Sequence, residues 1–239
     1  MRINTNVASL NSQESATNTQ NNLRNSLEKL SSGLRINKAS DDASGLAIAD
    51  KLRTQANSIG QSISNGNSAV ALTQIADKAM AEQSNILDIV KTKLIQAATD
   101  TTSEEGRTAI GKDVDKLLNQ LNNIAEQTNY NGTTLLQGAT SGSAAATLTF
   151  QMGETSSDTI GSTGGVRSNV SGLTLEALQS AAASGGTTAF TAAASRGFLD
   201  DVDSALNTLN GWRADFGSTQ NQLESAVRNQ MTQQTNIKA

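Results

Sequence analysis

No proline, no cysteine and no histidine occurs among the 239 residues. Average usage is about 5% proline, so roughly a dozen are missing. Proline breaks helix interiors, and its absence permits very long helices. It also removes slow prolyl isomerisation from folding. The lack of cysteine excludes disulfides, thiolate metal sites and thiol catalysis. The lack of histidine removes the commonest general base and metal ligand. Aromatic residues are 3% of the chain. So few leave aliphatic seams between helices, rather than one thick core, as the natural way to bury area.

Basic charge is also scarce. The net charge is −4 and the pI about 4.9. A nucleic-acid binder would need a basic stripe, so none is expected as a partner. No stretch approaches the roughly 20 apolar residues of a membrane helix, and no membrane partner is expected. Met1-Arg2-Ile3-Asn4-Thr5-Asn6 lacks the apolar core of a cleaved signal peptide. A cytoplasmic location or a dedicated export route fits that start.

What is present is a helical rhythm. Ile3, Val7 and Leu10, then Leu23, Leu27, Leu30 and Leu34, follow three- and four-residue steps. A narrow apolar stripe on an otherwise polar helix is the coiled-coil type of seam. The segment from Ile36 to Asp42 interrupts it. Ser40, Asp41 and Asp42 can cap and charge a second helix there. That helix carries Ile48, Leu52, Ala56, Ile59, Ile63, Val70, Ile75, Ile86, Val90 and Leu94, and is expected to end near Thr99. Gly60 and Gly66 lie inside it, each costing about 1 kcal/mol relative to alanine. Packing must offset that cost.

Thr102 and Glu105 have capping-box spacing before a third helix. Its seam is Ile110, Val114, Leu117, Leu121 and Ile124. Gln127 to Asn129 close it, and Tyr130-Asn131-Gly132 signals a turn. Thr133 to Gln137 and Thr147 to Met152 have short β-like patterns. Residues 153–189 are rich in Gly, Ser and Thr and read as surface β structure and loop, with one helical candidate from Leu173 to Ala183. A last helix runs from about Thr191, with Val202, Ala205, Leu209, Trp212, Phe216, Leu223 and Val227 in register. Ile237-Lys238-Ala239 holds no stop signal, which favours a longer natural chain over a frayed terminus. The expected fold is mainly α: long antiparallel helices in a coiled-coil-like bundle, with a small β-hairpin and loop region in the middle.

No constellation supports catalysis. Asp41-Asp42 and Glu104-Glu105 are adjacent carboxylates, which helix-start charge explains. The glycines between 161 and 165 lack the Lys-Ser/Thr of a phosphate loop. A serine or threonine nucleophile has no histidine to activate it. Trp212 sits in a seam and reads as a core contact. No catalytic, cofactor-binding or metal-binding residue is expected, and no cofactor.

Long motifs remain. Leu30-Ser31-Ser32-Gly33-Leu34-Arg35-Ile36-Asn37, continuing Lys38-Ala39-Ser40-Asp41-Asp42-Ala43-Ser44-Gly45-Leu46-Ala47-Ile48, closely resembles the N-terminal signature of bacterial flagellins. Met1-Arg2-Ile3-Asn4-Thr5-Asn6, Thr128-Asn129-Tyr130-Asn131-Gly132 and Phe216-Gly217-Ser218-Thr219-Gln220-Asn221-Gln222-Leu223 resemble that family too, in its order. The resemblance implies a structural subunit that polymerises into the flagellar filament for motility. It implies export without a cleaved signal peptide, through the flagellar apparatus with a chaperone, to an extracellular filament of identical copies. Hook–filament junction proteins share similar terminal helices. A surface adhesion or host-interaction module is a reading from another class.

On that resemblance, residues 1–43 form an inner-tube helix and connector, and 44–138 the long helices and the start of a hairpin. Residues 139–190 form a short variable surface region, and 191–239 a C-terminal long helix that stops early. Ile3, Val7, Leu10, Leu23, Leu27, Leu30 and Leu34 are the candidate subunit-packing residues. Without a C-terminal partner helix, the 239-residue form is expected to polymerise poorly. Val90-Lys91-Thr92-Lys93-Leu94-Ile95 matches the stretch where flagellins that activate Toll-like receptor 5 carry an Arg-Glu-Leu cluster. It resembles the version in the Campylobacter–Helicobacter group, which evades that receptor, and implies weak activation. A plain solvated or subunit-contact role for these lysines stands beside that reading. The resemblance also implies O-glycosylation of the middle region, without selecting a site.

Overall fold

The computed structural model describes residues 6–137, 144–162, 164–184 and 190–238. The chain divides into two compact units, essentially residues 1–57 and 58–237. The long second helix, α2 (Ala43–Ala98), contributes to both.

The first unit contains α1 (Val7–Ser32) and the start of α2. Asn6 caps α1 by accepting from the Ser9 N–H at 3.3 Å. Gly33 ends it at φ +69°, its N–H returning to the Lys29 carbonyl. The connector is held by one carboxylate. Asp41 Oδ2 accepts the backbone N–H groups of Asn37 and Lys38, each at 3.1 Å, and Lys29 Nζ lies 3.2 Å from Oδ1. Asp42 Oδ1 then accepts the Gly45 N–H at 2.9 Å and caps α2. The expected roles of these two carboxylates divide cleanly: Asp42 caps the helix, and Asp41 ties the turn. Two facing N–H groups and a nearby ammonium all favour the ionised form, so the Asp41 carboxyl is held below the usual carboxylate range. Glu28, bonded to Lys38, raises the affinity of that ammonium for its proton.

The second unit holds the rest of α2, α3 (Glu104–Gln127), the strand pairs β1 (Asn129–Tyr130) with β2 (Thr133–Thr134) and β3 (Thr149–Gln151) with β4 (Thr159–Gly161), α4 (Glu176–Ala183) and α5 (Ala192–Lys238). Ion pairs fix the direction of α5 on α2. Asp77 meets Arg213 at 2.9 Å, Lys91 meets Asp203, and Asp100 meets Arg196 at 3.2 Å. One series rises while the other falls, so the helices are antiparallel. Exposed pairs of this kind contribute about 0–1 kcal/mol each, and they set register more than stability.

Stability comes from one aliphatic core. Leu72, Met80, Leu87, Val90 and Leu94 of α2 pack with Val114, Leu118 and Leu121 of α3 and with Val202, Leu209 and Phe216 of α5. A second cluster joins Ala69 to Met152, Leu223 and Val227. The glycine of α2 that packing must justify faces this cluster. A Cβ on Gly66 would lie 2.5 Å from Val227 Cγ2 and 2.8 Å from Met152 Cε. Gly60 likewise leaves room for Gln234, whose Nε2 would lie 2.8 Å from an added Cβ. Both glycines therefore admit α5 close against α2.

Four local expectations need correction. Ser103, not Thr102, caps α3: its hydroxyl accepts the Gly106 N–H at 3.1 Å, while Thr102 donates to the Gln96 carbonyl. The α3 seam is wider than expected: Ile110, Val114 and Leu121 are buried, Leu117 and Ile124 are partly buried against the core, and Leu118 and Ala125 join them fully buried. The β-like run at Thr133 pairs only over Thr133–Thr134. A two-residue turn with Asn131 at φ +50° and Gly132 at φ +80° returns it onto Asn129–Tyr130, and Leu135 and Leu136 then leave the ladder for the core. The region after 139 is not wholly superficial either. Val166, Val170, Leu173, Leu175 and Leu178 are buried against the long helices. Gln83 pins this connector from within the core, donating from Nε2 to the carbonyls of Leu121 at 3.1 Å and Ser168 at 3.0 Å.

Candidate functional site

The described residues hold no grouping of three metal-ligating side chains and no helix long and apolar enough to cross a membrane, which leaves helix faces and cavities as candidate sites. Glu104 and Glu105 lie in the first turn of α3, where carboxylates favour the helix N-terminus.

Among the described residues, most of the exposed large hydrophobic side chains lie in the first unit. α1 has no buried residue along its length. Val7, Leu10, Leu23, Leu27, Leu30 and Leu34 are all exposed, Leu30 to 79%. Ile3, the first member of the series, lies outside the described residues. Ile48 and Leu52 at the start of α2 are exposed as well. Eight large aliphatic side chains in one unit thus stand in water. Scattered exposed leucines need no explanation, but a contiguous series does. Burying a leucine or valine is worth about 1.5–3 kcal/mol relative to leaving it exposed.

The stretch Val90–Ile95 is divided by helix geometry. Val90 and Leu94, four apart, are fully buried in the core. Lys91 is paired with Asp203 of α5, and Lys93 with Asp113 of α3 at 3.0 Å. Thr92 and Ile95 face solvent, next to the exposed Ile89. Of the six residues, those open to a macromolecule are therefore Thr92 and Ile95, with the two lysines already engaged by carboxylates.

A third feature was not foreseen. A polar cavity of about 400 Å³ opens between α3, α4 and two connecting loops. Asn122 and Glu126 come from α3, Gln137 and Asn169 from the loops, and Glu176 and Gln179 from α4. Amides hold its walls: Asn122 Oδ1 accepts the Val170 N–H at 2.8 Å, Asn169 Oδ1 accepts the Gly172 N–H at 2.8 Å, and Gln137 Oε1 accepts from Asn169 Nδ2 at 3.3 Å. These residues are 15 to 50 positions apart in places, and no spacing in the sequence marks them as a group.

Comparison with known proteins agrees with this architecture. Residues 3–141 match the family model for the bacterial flagellin N-terminal helical region, and residues 199–239 the one for the C-terminal helical region. The chain is 50% identical over 167 residues to flagellin B of Helicobacter pylori, covering 67% of this chain and 32% of that protein. It is 50% identical over 159 residues to flagellin A of Helicobacter felis, covering 66% of this chain and 30% of that protein. The chain thus spans about a third of the length of these relatives. Among solved structures, a putative flagellar hook-associated protein from Vibrio parahaemolyticus superposes with a TM-score of 0.69 at 12% identity, over 84% of this chain and 97% of that one. Bacillus cereus flagellin superposes with a TM-score of 0.57 at 24% identity, over 70% and 88%. Those two likenesses concern the fold. The family matches cover both helical ends of the sequence, and the chain belongs to the bacterial flagellin family.

Proposed function

We propose that this chain is a structural subunit of the bacterial flagellar filament and associates with copies of itself through the apolar face of its first unit. The observation that carries this reading is the series Val7, Leu10, Leu23, Leu27, Leu30 and Leu34, exposed on a helix with no buried residue. An amphipathic helix gains most of its stability from packing, so this face calls for a partner helix. In a homopolymer, other copies supply it. The role is structural rather than enzymatic, and the filament lies outside the cell, attached to it. Export through the flagellar apparatus with a chaperone belongs to the same reading. The full absence of proline suits a chain that must refold after passage.

The test is reversible self-association of the 239-residue chain into small oligomers, which does not require filament growth, followed by sedimentation velocity over a concentration series. Association should grow with concentration and disappear when Leu23, Leu27 and Leu30 are all changed to serine. A chain that stays monomeric at every concentration, or a triple variant that associates like the parent, would overturn the proposal.

We further infer that the chain activates Toll-like receptor 5 weakly. The stretch 90–95 offers no arginine, and its two lysines are held by Asp203 and Asp113. Arginine can engage a planar acceptor through two hydrogen bonds at once, and lysine cannot. Reporter cells should respond far less than to a flagellin with arginine there, and a strong response would refute the inference.

A further inference from the structure

Three Asn-Gly dipeptides occur in the chain, at Asn65-Gly66, Asn131-Gly132 and Asn210-Gly211. We propose that, of the three, Asn131-Gly132 is the one that deamidates spontaneously in the folded protein, so that the molecule carries a chemical marker of its own age. The inference is independent of self-association, because no residue of the α1 face takes part. The dipeptide supplies both reactants. The backbone nitrogen of Gly132 gives up its proton and forms a bond to Cγ of Asn131, closing a succinimide ring. The bond from Cγ to the side-chain nitrogen breaks, and that nitrogen leaves with the proton as ammonia. Water then opens the ring. Attack at Cγ yields aspartate, and attack at the main-chain carbonyl yields isoaspartate. In sum an amide and water become a carboxylate and ammonium, with no oxidant or reductant. Asparagine is among the thermolabile residues, and a following glycine has no Cβ to obstruct the approach.

The fold separates three sites that local sequence makes alike. Ring closure requires the asparagine to rotate until the next backbone nitrogen reaches its Cγ. Asn65-Gly66 lies inside α2 and Asn210-Gly211 inside α5. There the dihedral angles are fixed and the glycine N–H donates to the carbonyl four residues back. Asn65 is held by its side chain as well: Oδ1 accepts from Gln61 Nε2 at 3.0 Å, and Nδ2 donates to the Gln151 carbonyl at 3.2 Å. Asn210 is exposed, so the helical backbone is its main restraint. Asn131-Gly132 lies outside any helix. Both residues are exposed, and a Cβ on Gly132 would meet nothing within 4 Å. No hydrogen bond holds the Asn131 amide or the Gly132 N–H among the described residues. The turn closes a ladder of two residue pairs, Asn129 with Thr134 and Tyr130 with Thr133. Hairpins that short are marginal by themselves, so the rotation needs only a local opening.

The product differs from the parent in charge and in backbone. Each conversion adds one negative charge to a chain whose net charge is −4. Isoaspartate also inserts a methylene into the main chain, at a turn built on φ +50° at Asn131 and φ +80° at Gly132. The two-pair ladder depends on that turn for its register. The same turn directs Leu135 and Leu136 into the core, so the lesion loosens the end of the second unit next to α3.

The test follows all three sites in one sample. The full chain is kept folded at mildly alkaline pH and body temperature and, in parallel, unfolded in urea. Trypsin then places the dipeptides in separate peptides, 54–78, 117–167 and 197–213. Mass spectrometry of successive samples gives the conversion at each site, with fragmentation that distinguishes isoaspartate from aspartate. In the folded chain Asn131 should convert more than about tenfold faster than Asn65 and Asn210, because opening a helix interior costs far more than opening a loop. In urea the three rates should converge. Isoaspartate should appear beside aspartate, since direct hydrolysis of the side chain cannot produce it. Conversion of Asn131 no faster than that of the two helical sites would overturn the proposal. So would a lead for Asn131 that persists undiminished in urea, which would trace it to neighbouring residues rather than the fold. Aspartate without isoaspartate would overturn the succinimide route.

Discussion

Two leucine seams with the same spacing meet opposite fates. In the first unit, Leu23, Leu27, Leu30 and Leu34 stand in water. In the second, Val114, Leu118 and Leu121 are wholly buried. Local propensity does not distinguish them. The difference lies in what surrounds each helix. α3 has α2, α4 and the connector packed against it, whereas no residue of α1 is buried. Helical periodicity specifies an apolar face, and it says nothing about whether the partner lies in the same chain or in another.

The sharpest way to break that comparison is to truncate one leucine in each seam. Leu118→Ala should destabilise the monomer by about 2–5 kcal/mol, because it leaves a cavity in a closed core. Leu30→Ala should change monomer stability by no more than about 0.5 kcal/mol, as at other surface sites. Chemical denaturation of dilute protein would measure both. Equal losses would mean that the α1 face is covered within the monomer.

A smaller effect is expected from glycines that the same helices treat differently. Gly66→Ala forces a methyl against Val227 and Met152, and overpacking of this kind costs about 1–3 kcal/mol. The gain in helix propensity, about 1 kcal/mol, offsets part of it. Gly217→Ala in α5 meets open space and should stabilise by up to about 1 kcal/mol. Thermal unfolding of the two variants should therefore move in opposite directions.

The smallest effect is electrostatic and confined to the connector of the first unit. Asp41 is depressed in the folded state, first by the N–H groups of Asn37 and Lys38 and then by Lys29. A depressed acid contributes stability above its unfolded pKa of about 3.9, and that contribution is lost as pH falls through the folded value. The amides of Asn37 and Lys38 should keep their exchange protection through the ordinary carboxylate range and lose it only at a pH below about 3.9, as the folded Asp41 protonates. Asp41→Asn should show weak protection at neutral pH and lose that pH dependence. Protection in Asp41→Asn equal to that of the parent at pH 7 would remove Asp41 from its assigned role.

Much of this architecture could be read from residues alone. The long helices end within a residue or two of the expected places, at Ala98 and Gln127, because helix stops are local events. The turn at Asn131-Gly132 was equally legible, since few residue pairs accept two positive φ angles. Ser103 and Thr102 are adjacent and chemically alike as caps, so only the final helix direction chose between them. On α3, the burial of Leu118 beside the expected Leu117 reflects how many elements surround the helix, which the spacing does not encode. The cavity at Gln137 was not legible at all, because its amides come from separate segments and each has an ordinary structural use.

By itself, the sequence determined that the chain is helical, that its helices carry narrow aliphatic seams, and that it bears flagellin motifs. These follow from 3.6-residue periodicity, missing proline and contiguous signatures, all of them short-range properties. Tertiary structure alone decided which seams close within the chain and which stay open, that Gly66 admits α5, and that Val166 to Leu178 belong to the core. Those outcomes depend on which surfaces meet across long stretches of chain, and no local pattern encodes that.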